Sequence, residues 1–170
     1  MASSNQNLSV FEKSNLPDAS KMHIGIVTAE WNKEITSSLF NAAISTLKEC
    51  GVDENHIFSI DVPGTFELTA GAKFLASQQK LDAVICIGCV IQGETRHFDF
   101  ICQAVANGLT NLSIVTSIPF IFGVLTTENL QQAKERAGGK HGNKGIEAAV
   151  TAIKMAGLKS QKKTGKKIGF

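Results

Sequence analysis

Apolar and polar residues alternate along this chain with two different periods, and the switches between them outline a fold. His23–Ala29 is apolar enough to predict a strand. Lys33–Cys50 then carries Ile35, Leu39, Ala43, Ile44 and Leu47 at the three- and four-residue spacing of a helix with one buried stripe. Gly51 stands where a helix-terminating glycine belongs. His56–Val62 predicts a second strand, Pro63-Gly64-Thr65 a turn, and Phe66–Ser77 a helix with Leu68, Ala72 and Leu75 on its apolar side. The third strand, Ala83–Val90, opens with Ala83-Val84-Ile85-Cys86-Ile87, a continuous apolar run of the kind a parallel strand needs when both its faces are covered. Phe98–Ile114 reads as a helix, Phe120–Leu125 as a fourth strand after Pro119, and Thr127 as the cap of a helix over Leu130–Ala137. Gly138-Gly139-Lys140-His141-Gly142 reads as a loop, and a last helix centres on Ile146–Ala156.

Strands that alternate with helices imply right-handed crossovers, and so a parallel sheet covered on both sides. The expected architecture is α/β: a three-layer αβα, flavodoxin-like fold with a four-stranded parallel sheet. Around it, residues 1–20 are polar and contain Pro17, which predicts a flexible N-terminal arm; residues 21–157 form the single domain; residues 158–170 form a basic tail. No internal repeat interrupts this order.

Composition narrows the function classes. With 170 residues, 43% of them hydrophobic, one core can be buried without staples. No apolar run approaches the roughly 20 residues that cross a bilayer, and no basic stretch leads into an apolar segment at the start, so a cytoplasmic protein without membrane partners is expected. The formal charge is +2, but the tail alone holds five lysines and no acid; without them the body carries −3, which argues against nucleic-acid binding. Of the four cysteines, Cys86 and Cys89 form the one C-x-x-C spacing. Cys86 falls inside a strand, and no second ligand pair matches it, so the cysteines read as small core residues and no metal is expected.

In parallel sheets the loops after the strands supply the site, and here each is chemically distinctive. After the first strand comes Ala29-Glu30-Trp31-Asn32, with the single tryptophan either a core ring or a plate for a flat heteroaromatic ligand. After the second, Thr65 and Glu67 read as a helix cap with a first-turn acid, or as partners for hydroxyls. After the third comes the most informative stretch, Gly88–Phe100, where Gly88 and Gly93 let the backbone approach a ligand and Thr95, Arg96 and His97 arrive at a helix mouth. Arg136 and Lys144 add two cations suited to a phosphate dianion, although Arg136 at a helix end also offsets the helix dipole. A histidine such as His97 is either structural or a proton carrier near neutral pH.

Taken in order, AEWN, VPGTFE, IGCVIQGETRHFDF, FGVLTTENLQQAKERAGGKHGNKG and EAAVTAIKMA resemble the signatures of the lumazine synthase family of riboflavin biosynthesis, over roughly Met22–Gly157. The resemblance implies condensation of 5-amino-6-(D-ribitylamino)uracil with 3,4-dihydroxy-2-butanone 4-phosphate, with no metal or organic cofactor. It also implies roles. Trp31, at a position often held by phenylalanine, stacks on the pyrimidine. Thr65, Phe66 and Glu67 hold the pyrimidine and ribityl chain, and Cys89, Val90 and Ile91 present backbone groups to the same substrate. Gly93, Glu94 and Thr95 cradle the phosphate with Arg136 as its clamp, the Glu94 carboxylate turning to solvent or to Arg96. His97 shuttles protons, oriented by Asp99; Lys144 assists near the phosphate. Phe122, which as a strand residue also suits the core, covers a neighbouring subunit's pyrimidine in a homopentamer whose sites lie at subunit interfaces. Some members of the family stop at pentamers and others build icosahedral shells of twelve pentamers; the short AGGKHGNKG connection resembles that of the shell formers, whereas Pro17 opposes strand addition by the arm. Two alternatives stand beside this reading: an archaeal-type riboflavin synthase, for which the phosphate apparatus would be idle, and a non-catalytic flavin-binding or container protein.

Overall fold

The computed structural model describes Asn7 and residues 9–161; most of the basic tail and the first residues of the arm lie outside the described residues. Along the chain run β1 (Ile24–Ala29), α1 (Lys33–Glu49), β2 (Ile57–Val62), α2 (Leu68–Gln78), β3 (Ala83–Ile91), α3 (His97–Thr116), β4 (Phe120–Thr127), α4 (Leu130–Arg136), β5 (Ala137–Gly139), β6 (Gly142–Asn143) and α5 (Lys144–Gln161). The first four strands pair in parallel in the order β2-β1-β3-β4. The expected three-layer, flavodoxin-like arrangement is therefore the one formed.

Alternation along the central strands feeds two separate cores. Ile24 and Ile26 of β1, Ile85, Ile87 and Cys89 of β3, and Ile121 and Leu125 of β4 pack under Leu39 of α1 and Ile153 of α5. Val27, Val84, Cys86 and Val124 face the other way, onto Leu68 and Ala72 of α2 and Val105 and Leu109 of α3. Cys86 and Cys89 thus point to opposite faces of one strand, which is the physical reason their spacing makes no thiol pair. Burial in apolar surroundings raises both thiols, that of Cys89 to about 11 and that of Cys86 higher still.

Gly51 ends α1 as expected. At φ +95° it lets its own N–H donate to Lys48 O (3.0 Å) and the Val52 N–H to Leu47 O (3.0 Å), the paired closure of a Schellman motif.

Three expectations change. Thr127 does not cap α4; it is drawn into β4 opposite Ile91, and the Asn129 side chain accepts from the Gln132 N–H at 2.9 Å instead. Thr65 caps no helix: Thr65–Glu67 is a 3₁₀ turn before α2, with no side-chain cap bond. The glycine loop contains a short antiparallel ribbon, β5 against β6. Within the expected arm, Ala19 is buried, Leu16 packs on the α1/α5 core, and the Pro17 ring lies against Gly157 of α5.

Candidate active site

The strand order turns at β1 and β3: the chain leaves β1 toward β2 on one side, then crosses to β3 on the other. The loops leaving these two strands part there, and a cleft of about 530 Å³ opens at their carboxyl ends. Its walls are Trp31 and Asn32 from the β1 loop, Gly64–Glu67 from the β2 loop, Cys89–Ile91 of β3, and His97 and Ile101 of α3.

Backbone geometry sets these groups. Asn32 sits in the left-handed region (φ 60°), which asparagine tolerates better than most residues, and its side-chain amide donates to Cys89 O at 2.8 Å. That bond ties the β1 loop to β3 across the turning point of the sheet. Trp31, next to it, remains 72% exposed, so it is no core ring. The Glu30 N–H donates to Val62 O at 2.9 Å, joining the same loop to β2. On the facing side Thr65 is buried against Gly88. A Cβ at Gly88 would lie 2.8 Å from Thr65 Oγ1, so the close approach requires glycine. With Thr65 as the buried anchor of its turn, Phe66 and Glu67 are left exposed beside the cleft.

The β3–α3 connection is open. Gly93, Glu94 and Thr95 are exposed, and their N–H groups have no partner among the described residues. They lead into the 20-residue α3, whose first N–H, that of His97, lies 3.4 Å from Thr95 Oγ1. Free N–H groups beside a long helix's positive end suit an anion. Asp99 does not orient His97: its carboxylate lies 3.9 Å from Arg96 Nε, while the Arg96 guanidinium sits 5.7 Å from the Phe100 ring centre. Arg96 is therefore engaged with Asp99 and Phe100, and the Glu94 side chain is exposed.

Eight of the expected residues meet in the cleft: Trp31, Thr65, Phe66, Glu67, Cys89, Val90, Ile91 and His97. Gly93, Glu94, Thr95, Phe122, Arg136 and Lys144 are not among its walls. Phe122 is half-buried on the α2/α3 core. Arg136 Nη1 donates to Gln132 O at 3.1 Å, and Lys144 Nζ pairs with Glu147 Oε1 at 2.6 Å. Asn32, Gly64 and Ile101 also line the cleft without having been singled out. Ile101 lies one helical turn beyond His97, a spacing that puts both on one side of α3.

With its raised thiol, Cys89 contributes shape and backbone rather than a nucleophile. Among the described residues no group of three or more His, Cys, Asp or Glu side chains is arranged to hold a metal. No described helix is long and apolar enough to cross a membrane.

An indole, an imidazole, a carboxylate and open backbone N–H groups at the carboxyl edge of a parallel sheet define an α/β protein with a small-molecule site. The relatives narrow the class. Residues 21–160 match the family model described as 6,7-dimethyl-8-ribityllumazine synthase, and the chain belongs to that family. A protein of that name from Parabacteroides distasonis is 56% identical over 155 residues, covering 91% of this chain and 97% of its own. The Porphyromonas gingivalis protein is 56% identical over 158 residues (93% and 98%), and that of Flavobacterium johnsoniae 52% over 161 (95% and 85%).

Proposed function

We propose that the protein condenses 5-amino-6-(D-ribitylamino)uracil with 3,4-dihydroxy-2-butanone 4-phosphate to give 6,7-dimethyl-8-ribityllumazine, phosphate and water, as a transferase of riboflavin biosynthesis. The observation that carries this is the gathering, in one cleft of a chain of this family, of Trp31, the Thr65–Glu67 turn, Cys89–Ile91 and His97. Trp31 stacks on the pyrimidine, whose ring plane suits an exposed indole. Glu67 accepts from ribityl hydroxyls, Thr65 and Phe66 shape the same side, and the carbonyl and amide groups of Cys89, Val90 and Ile91 fix the heterocycle's edge. The N–H groups of Gly93, Glu94 and Thr95 take the phosphate.

The reaction consists of amine attack on the ketone, imine formation, loss of phosphate, ring closure and dehydration. Each step moves a proton and none needs an electron acceptor. Holding both substrates in one cleft makes the attack effectively unimolecular, and His97 is the group placed to pass protons between them. The four free cysteines suit a reducing compartment, so the working location is taken to be the cytoplasm.

Arg136, Lys144 and Phe122 complete the site from an adjacent subunit. This reading rests on their absence from the cleft of their own chain and on exposed apolar side chains along α2, the turn before it, and α3: Phe66, Phe74, Phe100, Ile114 and Val115 are all more than half exposed. The proposed assembly is a homopentamer around the 21–157 domain. Within the arm, Ser9 accepts from the Asn143 N–H of β6 and Pro17 lies against Gly157 of α5, so the proposed assembly stops at the pentamer and adds no shell.

The test mixes purified protein with both substrates and follows lumazine absorbance and phosphate release together against a protein-free control. Acceleration of both in equal amounts is expected; acceleration of neither would overturn the assignment.

A further inference from the structure

Arg136 and Lys144 are eight positions apart in sequence, yet the β5–β6 ribbon makes them neighbours. Ala137 pairs with Asn143 across the ribbon, and the two cations stand one residue beyond that pair on either strand, at its open end. The separation of the charges is therefore set by whatever holds this pair.

Asn143 holds it. The residue is 7% exposed, and nearly all of its hydrogen-bonding capacity is used. Its side-chain oxygen accepts from the Gly145 N–H at 2.8 Å, capping α5. Its side-chain nitrogen lies 3.4 Å from Ser38 Oγ on α1, and the Ser38 hydroxyl donates in turn to Ala137 O at 2.6 Å. Its backbone N–H donates to Ser9 Oγ at 2.9 Å. One carboxamide thus joins α5, α1 and, through Ser38, the opposite strand of the ribbon. The glycines around it allow this. Gly145 meets Leu39 O of α1 with no room for a Cβ, and Gly138 takes φ +113°, a left-handed conformation that favours glycine.

We infer that Asn143, acting with Ser38, is a positioning residue that presets Arg136 and Lys144 as one phosphate-binding unit. The inference rests on the reading that these two cations serve the phosphorylated substrate. A buried relay whose donors and acceptors are all matched fixes a geometry, whereas two long cationic side chains on an untethered glycine ribbon would have to be ordered anew each time phosphate binds. Asn143 touches no substrate in this scheme and acts only through the residues beside it.

The experiment compares the full chain with Ser38→Ala, Asn143→Ala, Arg136→Ala and Asn143→Ala/Arg136→Ala. The readouts are the KM for each substrate and the inhibition constant of inorganic phosphate. Ser38→Ala and Asn143→Ala should each raise the KM for the butanone phosphate about five- to tenfold, with the phosphate inhibition constant rising alike and the KM for the pyrimidine held within about twofold. In the Arg136→Ala background, Asn143→Ala should add much less than it does alone, because the chief group it places is gone. Lowered thermal stability with both KM values unchanged would show a structural role only and overturn the inference. Should Asn143→Ala fail to fold, Ser38→Ala decides, since it keeps the α5 cap. If Arg136→Ala leaves the butanone phosphate KM unaltered, the reading of the cations fails and takes this inference with it. If Arg136→Ala raises that KM while Ser38→Ala does not, the inference alone fails.

Discussion

Gly88→Ala should loosen the cleft from underneath. Gly88 is buried in β3 on the α2/α3 side, and a methyl group there would lie 2.8 Å from Thr65 Oγ1, 3.0 Å from Thr65 Cγ2 and 3.0 Å from Leu68 Cδ1. Rotating Thr65 brings no relief, because both branches of its side chain already face the new methyl and β-branched side chains have few rotamers. The Thr65–Glu67 turn must therefore move as a unit. Overpacking of this kind costs about 1–3 kcal/mol. For a domain of this length that corresponds to a Tm lower by roughly 2–12 °C, read at fixed protein concentration. Because Phe66 and Glu67 ride on the same turn, the KM for the pyrimidine should rise more than that for the butanone phosphate. Thr65→Ala removes both clashing branches, so the double variant Thr65→Ala/Gly88→Ala should be more stable than the two single effects added together. A Gly88→Ala protein with wild-type Tm and kinetics, or strictly additive stabilities, would refute the packing argument.

Other outcomes follow from the same geometry. Trp31→Ala should leave the Tm within about 2 °C, as expected for an exposed side chain, while weakening pyrimidine binding measured by titration calorimetry. His97→Ala should lower turnover about a hundredfold or more without changing the assembly seen by light scattering. Folded protein should leave Cys86 and Cys89 unlabelled by a thiol reagent at pH 8, because burial keeps both protonated. The same burial predicts a stability that falls with rising pH. Unfolded thiols ionise near pH 8.5, whereas Cys89 holds its proton to about 11, so the native state binds more protons across that window and unfolding is favoured as it is crossed. Cys89→Ala should flatten this slope in thermal melts between pH 8 and 10.5, a range in which no tyrosine titrates because the chain has none.

Much of the fold was legible because burial imposes a period. β3 is apolar on both faces and α1 carries one stripe, and both elements fall within a residue or two of their expected bounds. Local polar signals were weaker guides. Thr127 and Asn129 are both good caps by composition; pairing with Ile91 drew Thr127 into the sheet and left the role to Asn129. The Thr65 hydroxyl was equally ambiguous until Gly88 placed a buried surface against it. The β5–β6 ribbon was invisible because its strands, three and two residues long, carry no alternation, and their glycines read as loop. In the site, residues on loops after strands were found by topology alone. Asn32 was missed although an asparagine between a strand end and a helix start is itself a sign of left-handed backbone. Arg136 and Lys144 were legible as a cation pair suited to phosphate, but their tie to the site, like the role of Phe122, came only through resemblance, since nothing in the folding of one chain brings them to its cleft.

Phe66 belongs to two places at once. It lines the cleft with Trp31 and His97, and it also lines the shallow apolar groove that Phe74, Ala104 and Leu112 form between α2 and α3. One ring, 56% exposed, is thus shared between a ligand's wall and a surface suited to another macromolecule. A neighbouring subunit seated in the groove, as in the proposed pentamer, would restrict the ring and so change how tightly the cleft is filled. Thermodynamic reciprocity then requires the filled cleft to change the groove's affinity by the same factor. For the proposed pentamer, dissociation on dilution with and without a pyrimidine ligand is the measure of how strongly that one phenylalanine couples small-molecule occupancy to assembly.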